Sequence, residues 1–597
     1  MKTFSVPPLH VVGASEIALD GLLHQVATAP QQVGFRAYDG HSWVGVSYRE
    51  FLARARRLAL GLIDAGVQPG ERVALMSRTR LEWSLCDYAV WLAAAVTVPI
   101  YETSSAEQVA WMLSDSAAAA VIVETAQHAE LISGLTSPPC LRLVWQMDTG
   151  DLDMLETRGR GVDEGELATR QACLGAASLA TIVYTSGTTG QPKGCALTHG
   201  NLVATYSNTV DAPGIPDIFN NTSSTLLFLP LAHCLARIIG LSCVNAGVCI
   251  AYAPNVKDLP SHLASFRPTL LLSVPRVFEK LYNTARHTAQ QQRKGPVFDR
   301  AEQVAISYSK ALEQGRPALA LRLEHQLFDR LVYRRLRAAM GGNIRWSVSG
   351  GAPLGVRLGH FFRGAGVTVL EGYGLSETAT GGTLNLPGQQ QVGSVGRPIP
   401  GCEIGIDTDG EVLIRAAFVM SGYWQNEVAT KEAIDDDGWL HTGDIGEFDE
   451  QGFLSITGRK KELLVTSGGK NVAPTVLEDR LRANELVSQC IVVGDARPYI
   501  ACLLTIDPLE LPRWKAEHGK AAGLPFTELR ADPELRAALQ HAVDNANAAV
   551  SKAESIRRWQ VLDGDFTEAG GELTPTLKLK RTVITERYRS DVEALYS

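Results

Sequence analysis

Between residues 71 and 125 the chain alternates in a way that few folds accept. ERVALMS (71–77) reads as a short apolar strand, residues 81–95 carry apolar side chains at helical spacing, and VTVPIY (96–101) is a second strand. A further helix at 105–114 and the strand AAVIVET (119–125) extend the pattern. Strand, helix, strand is the repeating unit of a parallel sheet, so an α/β architecture is expected. Just upstream, YREFLARARRLALGL (48–62) is an amphipathic helix closed by Gly66.

After a polar, irregular stretch at 140–175 the alternation resumes. TIVYT (181–185), LLFLP (226–230), VCIAYA (248–253), TLLLSVP (269–275), IRWSVSG (344–350) and VTVLEGYG (367–374) are strand signals, with a helix starting near Cys234. Residues 276–340 read as mostly helical, with QQQRKGP (290–296) an exposed connection. From 393 to 458 the texture changes to short alternating segments (EIGID, EVLIRA, FLSIT) separated by Gly and Asp, which suits antiparallel pairing. GRKKELLVTSGGKNVAP (458–474) places basic residues and a glycine pair between structured segments, as a hinge would. Beyond it, a helix at 475–483, two strands and long helices are enough for a separate α+β domain. The expected division is therefore 1–460 and 461–597, with no internal repeat.

Composition narrows the function classes. With 597 residues and a net charge of −8, the chain lacks the basic surface that general phosphate-backbone binding requires, so nucleic acid is not an expected partner. Ten cysteines without a CxxC pair read as reduced thiols in a cytoplasmic protein and not as a zinc site. The N-terminus has no apolar signal-peptide core. Residues 238–256 are uncharged but broken by Gly240, Ser242, Asn245, Gly247 and Pro254, which reads as a helix end and a buried strand and not as a membrane span. Peripheral membrane contact and a homodimer stay open.

The most informative string is YTSGTTGQPKG (184–194). Gly187, Gly190 and Gly194 let the backbone approach an anion, Thr185, Ser186, Thr188 and Thr189 offer hydroxyls, and Lys193 supplies charge. It is a phosphate cradle by composition, and its spacing is not that of a Walker loop. A bare glycine-threonine turn is the bland alternative.

This string resembles the phosphate loop of the AMP-forming acyl-activating superfamily, which includes acyl-CoA synthetases, luciferases and adenylation domains. VSGGAPL (348–354), EGYGLSET (371–378), DGWLHTGDIGEFDEQGFLSITGRKK (437–461) and GELTPTLKLKR (571–581) resemble its further motifs, in family order. The long 437–461 segment and SVPRVFEKLYN (273–283) are similar to the long-chain fatty-acyl branch of bacterial type. The resemblance covers nearly the whole chain. It implies a large N-terminal domain of two parallel α/β sheet lobes plus a distorted β-barrel, and a small mobile α+β C-terminal domain hinged at Lys461.

The roles it implies are specific. Thr185, Ser186, Gly187, Thr188, Thr189, Gly190 and Lys193 would hold the phosphates of ATP, with Thr188 and Glu377 at the Mg2+ positions. Gly351, Ala352, Pro353, Glu371, Gly372 and Tyr373 would line the purine slot, with Gly374 and Ser376 in the same loop, and Asp444 and Arg459 would hold the ribose. Lys578, and not Lys580, aligns with the mobile catalytic lysine, while a solvated basic tail is its bland reading. His233 matches a position beside the acyl carboxylate, near Val274 and Gly351, and is otherwise a core histidine. Residues 238–256 with Val274 and Phe278 are the expected walls of an acyl tunnel. Ser467, Gly468, Gly469 and Lys470 form the expected CoA-side loop. The implied activity is ATP- and Mg2+-dependent conversion of a long-chain fatty acid, or a similarly bulky apolar carboxylic acid, to acyl-AMP and then to acyl-CoA. An enzyme that loads a carrier protein, an adenylation-only partner and a non-catalytic nucleotide binder are the alternatives.

Overall fold

The computed structural model describes every residue except 137, 186–190, 468–469, 509, 569 and 575–577. Two large sheets carry the architecture. One has seven strands, in the order Gly422–Tyr423, Lys193–Thr198, Leu179–Thr185, Val96–Ile100, Arg72–Met76, Ala118–Val123 and Leu143–Gln146. Its pairings are parallel from Leu179–Thr185 onward, and the first two strands are added antiparallel. The second has nine strands with a parallel centre running through Thr368–Gly374, Trp346–Ser349, Leu270–Ser273, Ser224–Leu227 and Cys249–Tyr252 to Val33–Tyr38. The α/β expectation with two parallel lobes is met.

A buried ion pair joins the lobes. Arg237, on the helix Cys234–Ala246, donates through Nε to Asp87 at 2.8 Å, and Asp87 sits on the helix Leu81–Leu92 of the other lobe. The guanidinium is 4.8 Å from the Trp91 ring centroid and also donates to Thr181 Oγ1 at 2.5 Å. Burial raises the Asp87 pKa while Arg237 and Thr97 hold it down. Removing either partner would leave a buried charge uncompensated, at about 3–5 kcal/mol.

Helix ends follow the local sequence. Ser47 and Glu50 form a reciprocal capping box at the start of Tyr48–Asp64. His233 caps Cys234–Ala246, which stops at Gly247 with φ of +75°. The stretch 238–256 divides as expected, into the end of this helix and the strand Cys249–Tyr252.

The β-rich unit is a five-stranded antiparallel sheet, Lys2–Ser5, Cys402–Ile406, Glu411–Ala416, Leu440–Phe448 and Leu454–Arg459. Its first strand comes from the N-terminus, nearly 400 residues away in sequence, which local patterning does not reveal. The hairpin Val33–Tyr38 and Trp43–Ser47 was likewise not anticipated, although Asp39-Gly40 is a turn signal.

After residue 461 a three-stranded sheet, Val487–Val493, Ile500–Ile506 and Ile556–Val561, is covered by the helices Pro474–Arg482 and Pro533–Asn547. The expected long helices reduce to the 15-residue Pro533–Asn547 and shorter pieces, because Pro512, Gly519, Gly523 and Pro525 interrupt the pattern.

Candidate active site

The strand Leu179–Thr185 pairs with Lys193–Thr198 so that Thr185 lies opposite Lys193, and the glycine-threonine loop springs from that pair. Ser186, Gly187, Thr188, Thr189 and Gly190 lie outside the described residues. The loop's roots are braced. Tyr184 donates its hydroxyl hydrogen to Asp115 at 2.6 Å, Trp111 Nε1 donates to the Pro192 carbonyl at 3.0 Å, and the Trp424 amide donates to the Gly194 carbonyl at 2.7 Å.

Lys193 Nζ sits 5.0 Å from the centroid of the Tyr423 ring, and the Tyr423 hydroxyl donates to Glu377 Oε1 at 2.8 Å. Glu377 is presented by the short turn Ser376–Thr378. That turn is held by Thr378 Oγ1 donating to the Gly381 carbonyl at 2.6 Å, and Ala379 and Thr380 follow at φ of +44° and +65°. Left-handed non-glycine residues cost about 1–3 kcal/mol each and persist where surroundings enforce them. Gly374, just upstream, is obligatory, since a Cβ there would lie 2.1 Å from the Thr380 carbonyl oxygen.

The strand Thr368–Gly374 also carries Glu371, Gly372 and Tyr373. Glu371 is buried, accepts from the Leu354 amide at 2.9 Å and so ties down the loop of Gly351, Ala352 and Pro353. Burial pushes its carboxyl up to about 7. The Tyr373 hydroxyl donates to Asp444 Oδ2 at 2.7 Å, and Arg459 Nε lies 2.9 Å from Asp444 Oδ1. Asp444 and Arg459 are direct cross-strand partners, which fixes this pair before any ligand arrives.

His233 accepts from the Leu235 amide through Nδ1 at 3.1 Å, as the helix cap. Burial, and then the nearby charge of Lys578, bring its pKa down to about 4, so the ring is neutral at physiological pH. Nδ1 is an acceptor, so the ring proton is on Nε2. Lys578 reaches the same space from the C-terminal segment. Desolvation and then Arg459 lower its pKa, while Asp444, Glu462 and Glu377 oppose that shift. Lys578 is exposed and lines the cavity. Lys580 does not line it.

The segment between the two halves is clamped at both sides. Lys460 pairs with Asp409 at 2.5 Å and Glu411 at 2.8 Å, while Lys461 is exposed. Arg581, three residues after Lys578, donates to Glu462 at 3.2 Å and pairs with Glu478 on the helix Pro474–Arg482.

These groups enclose one cavity of about 2540 Å³, lined by Thr185, Lys193, His233, Val274, Gly351, Ala352, Pro353, Gly372, Tyr373, Gly374, Ser376, Glu377, Asp444, Arg459, Lys461 and Lys578. Single-ligand pockets are usually ~300–1,000 Å³, so this space accommodates more than a nucleotide. An apolar branch continues past Ile238, Ile239, Val274, Leu281, Phe298 and Leu336. The expected tunnel wall is thus corrected in part. Among the described residues of the expected stretch only Ile238, Ile239 and Ser242 line the cavity; residues 250–252 are buried in their sheet and Phe278 is wholly buried against Phe362. Glu371 supports the cavity wall from behind. Ser467 and Lys470 lie away from the cavity: the Ser467 amide donates to the Arg497 carbonyl at 2.9 Å and Lys470 pairs with Glu554 at 3.2 Å. Gly468 and Gly469 are outside the described residues.

Sequence reasoning passed over Tyr423 and Trp424, and took Arg581 only as the end of the 571–581 motif. Tyr423 and Glu377 are 46 residues apart, and nothing local marks their contact.

Residues 23–424 match the model of the AMP-binding enzymes, and residues 461–597 match that of the AMP-binding enzyme C-terminal domain. The chain is 49% identical over 601 residues to the long-chain-fatty-acid–CoA ligase FadD15 of Mycobacterium bovis and, equally, to that of Mycobacterium tuberculosis, with 100% of each chain covered. Among solved structures, the anthranilate CoA ligase AuaEII in complex with anthranoyl-AMP shares the fold at a TM-score of 0.73 and 18% identity, over 96% of this chain and 98% of that one.

Proposed function

Because this chain belongs to the AMP-binding enzymes, we propose that it activates a long-chain fatty acid with ATP to acyl-AMP and pyrophosphate, then transfers the acyl group to CoA with release of AMP. One observation carries the reading. The Lys578 ammonium lines the same cavity as the Asp444–Arg459 pair, Glu377 and His233, and apolar side chains line the rest of that cavity.

In the first half-reaction the carboxylate oxygen attacks the α-phosphorus and pyrophosphate leaves. Both reactants are anions, so the chain's work is to neutralise charge and hold an in-line geometry. Asp444 and Arg459 position the ribose, and Tyr373 packs on the base while its hydroxyl keeps Asp444 oriented. The loop 185–190 and Lys193 hold the phosphates. Lys578 places positive charge between carboxylate and α-phosphate, where the two anions must be brought together. His233, neutral, offers its Nε2 hydrogen beside the acyl group without adding charge.

Mg2+ suits this site. It takes one or two carboxylates and completes its shell from phosphate and water, and Glu377, oriented by Tyr423, is a carboxylate of that kind in the cavity wall. Thr188 would be its companion ligand. When bound with ATP, the ion supplies charge neutralisation at the phosphates.

The second half-reaction calls for a different face of the C-terminal unit. We read residues 461–597 as a mobile domain, hinged at Lys461, that withdraws Lys578 and brings the loop of Ser467 to Lys470 toward the thioester-forming site. Free CoA, and not a carrier protein, is the proposed acceptor. A peripheral position at a membrane suits an apolar acid, and no helix among the described residues is long and apolar enough to cross one.

The test separates the halves. Lys578→Ala should abolish pyrophosphate release from ATP and palmitate yet spare thioester formation from supplied palmitoyl-AMP and CoA; equal loss of both would refute the assignment. A wild-type profile that peaks at acetate or butyrate would refute the long-chain reading.

A further inference from the structure

One helix turns its apolar residues toward solvent. In Leu319–Phe328 and the π-turn Asp329–Tyr333 that continues it, Leu319, Leu323, Leu327 and Leu331 recur at every fourth position and are 70%, 59%, 54% and 46% exposed. At ~1.5 Å per residue the stripe is about 18 Å long. An ordinary surface helix turns such residues inward. Here the inward face is already filled by Phe328, Tyr333 and Leu336, so the leucines are surplus to the core.

Charge surrounds the stripe. Between Arg316 and Arg337 there are six arginines against Glu324 and Asp329, on a chain whose net charge is −8. Glu324 pairs with Arg300, and Asp329 with Arg334 and Arg337. Arg316, Arg322, Arg330 and Arg335 have no ion pair among the described residues.

The stripe is continuous with the cavity. Leu331 and Arg335 line its apolar branch, together with Val297, which is itself 40% exposed. Leu331 therefore belongs both to the exposed stripe and to the cavity lining.

We propose that this stripe is a docking surface for an anionic lipid bilayer, with the leucines in the boundary between headgroups and acyl chains and the arginines at the lipid phosphates. Leucines flanked by basic residues are the chemistry of an interfacial helix. A fatty acid leaving such a bilayer would meet the cavity lining at Leu331. A second copy of the chain is the weaker occupant, since a two-fold interface would set these arginines against their own copies. The delivery role rests on the acyl-activating reading; the bilayer contact does not.

The full chain is sedimented with phosphatidylcholine vesicles with and without phosphatidylglycerol. The wild type should partition onto the phosphatidylglycerol vesicles. Leu323→Glu with Leu327→Glu should weaken this about a hundredfold, about tenfold per leucine. Because both side chains are exposed, thioester formation from octanoate in free solution should be unchanged. Arg322→Gln with Arg330→Gln should weaken binding and flatten its salt dependence. The proposal is overturned if the wild type stays in the supernatant with both vesicles, or if the Glu variant partitions as the wild type does. It is also overturned if that variant loses self-association in sedimentation equilibrium with vesicle binding intact. Vesicle binding that follows these expectations, in a protein forming no thioester from any acid, would uphold the surface and refute the enzymatic reading alone.

Discussion

Glu371→Gln isolates the cost of a buried carboxyl in the purine-side wall. Glu371 is 8% exposed, and burial moves its carboxyl from an ordinary 4.5 to about 7. A shift of ~2.5 units is worth ~3 kcal/mol at most. A raised folded-state pKa has a definite sign. Below pH ~4.5 the group is protonated in both states and costs nothing. As pH climbs toward ~7 the unfolded chain releases a proton that the folded chain keeps, so stability falls and then levels off. Glutamine stays neutral throughout, and its amide oxygen can still accept from the Leu354 amide. The variant should therefore gain on the wild type by roughly 2–3 kcal/mol between about pH 5 and pH 8.5. Paired urea denaturation curves across that range measure the gap, and ATP KM should stay within about twofold because the loop at Gly351 keeps its anchor. A gap that does not grow with pH would refute the reasoning.

Two other perturbations address the site's supports. Tyr423→Phe keeps the ring near Lys193 and removes the 2.8 Å hydrogen bond to Glu377. A bond to a charged group is worth ~1.5–3 kcal/mol, so pyrophosphate release should fall ten- to a hundredfold and need more Mg2+; an unaltered Mg2+ titration would contradict the orienting role. Arg286 lies 3.0 Å from Glu485 across the proposed domain boundary, and both are partly exposed. At ~0.2–1 kcal/mol for such a pair, Arg286→Glu or Glu485→Arg should slow pyrophosphate release up to about fivefold and spare thioester formation from acyl-AMP. The double exchange should recover the loss, and its failure to do so would rule out a latch.

What could be read from sequence was whatever is written locally. The apolar runs at 72–76, 96–100 and 118–123 declare their strands because both faces are buried, and Ser47 with Glu50 declares a helix start within four residues. The motif residues were legible because close approach to phosphate and base constrains residue type at each position. Contacts made by distant partners were not legible. Strand Lys2–Ser5 joins a sheet whose other members begin at residue 402, and the amphipathic character of Leu319–Phe328 gives no sign of which face is turned out. The tunnel walls were misjudged for a similar reason, since apolarity marks Phe278 and residues 250–252 as buried but cannot separate a cavity wall from packed interior.

The Arg581 clasp has a mechanical consequence. By pairing with Glu462, one residue from the proposed hinge at Lys461, and with Glu478 on Pro474–Arg482, it ties the segment that carries Lys578 to the start of the C-terminal unit. Under the proposed domain rotation, that tie would carry a swing at Lys461 through to the segment that bears the ammonium. On that proposal the ammonium would be engaged or disengaged as a clutch is, by the orientation of the whole body. Loosening the clasp would leave the chemistry's parts intact and spoil their timing.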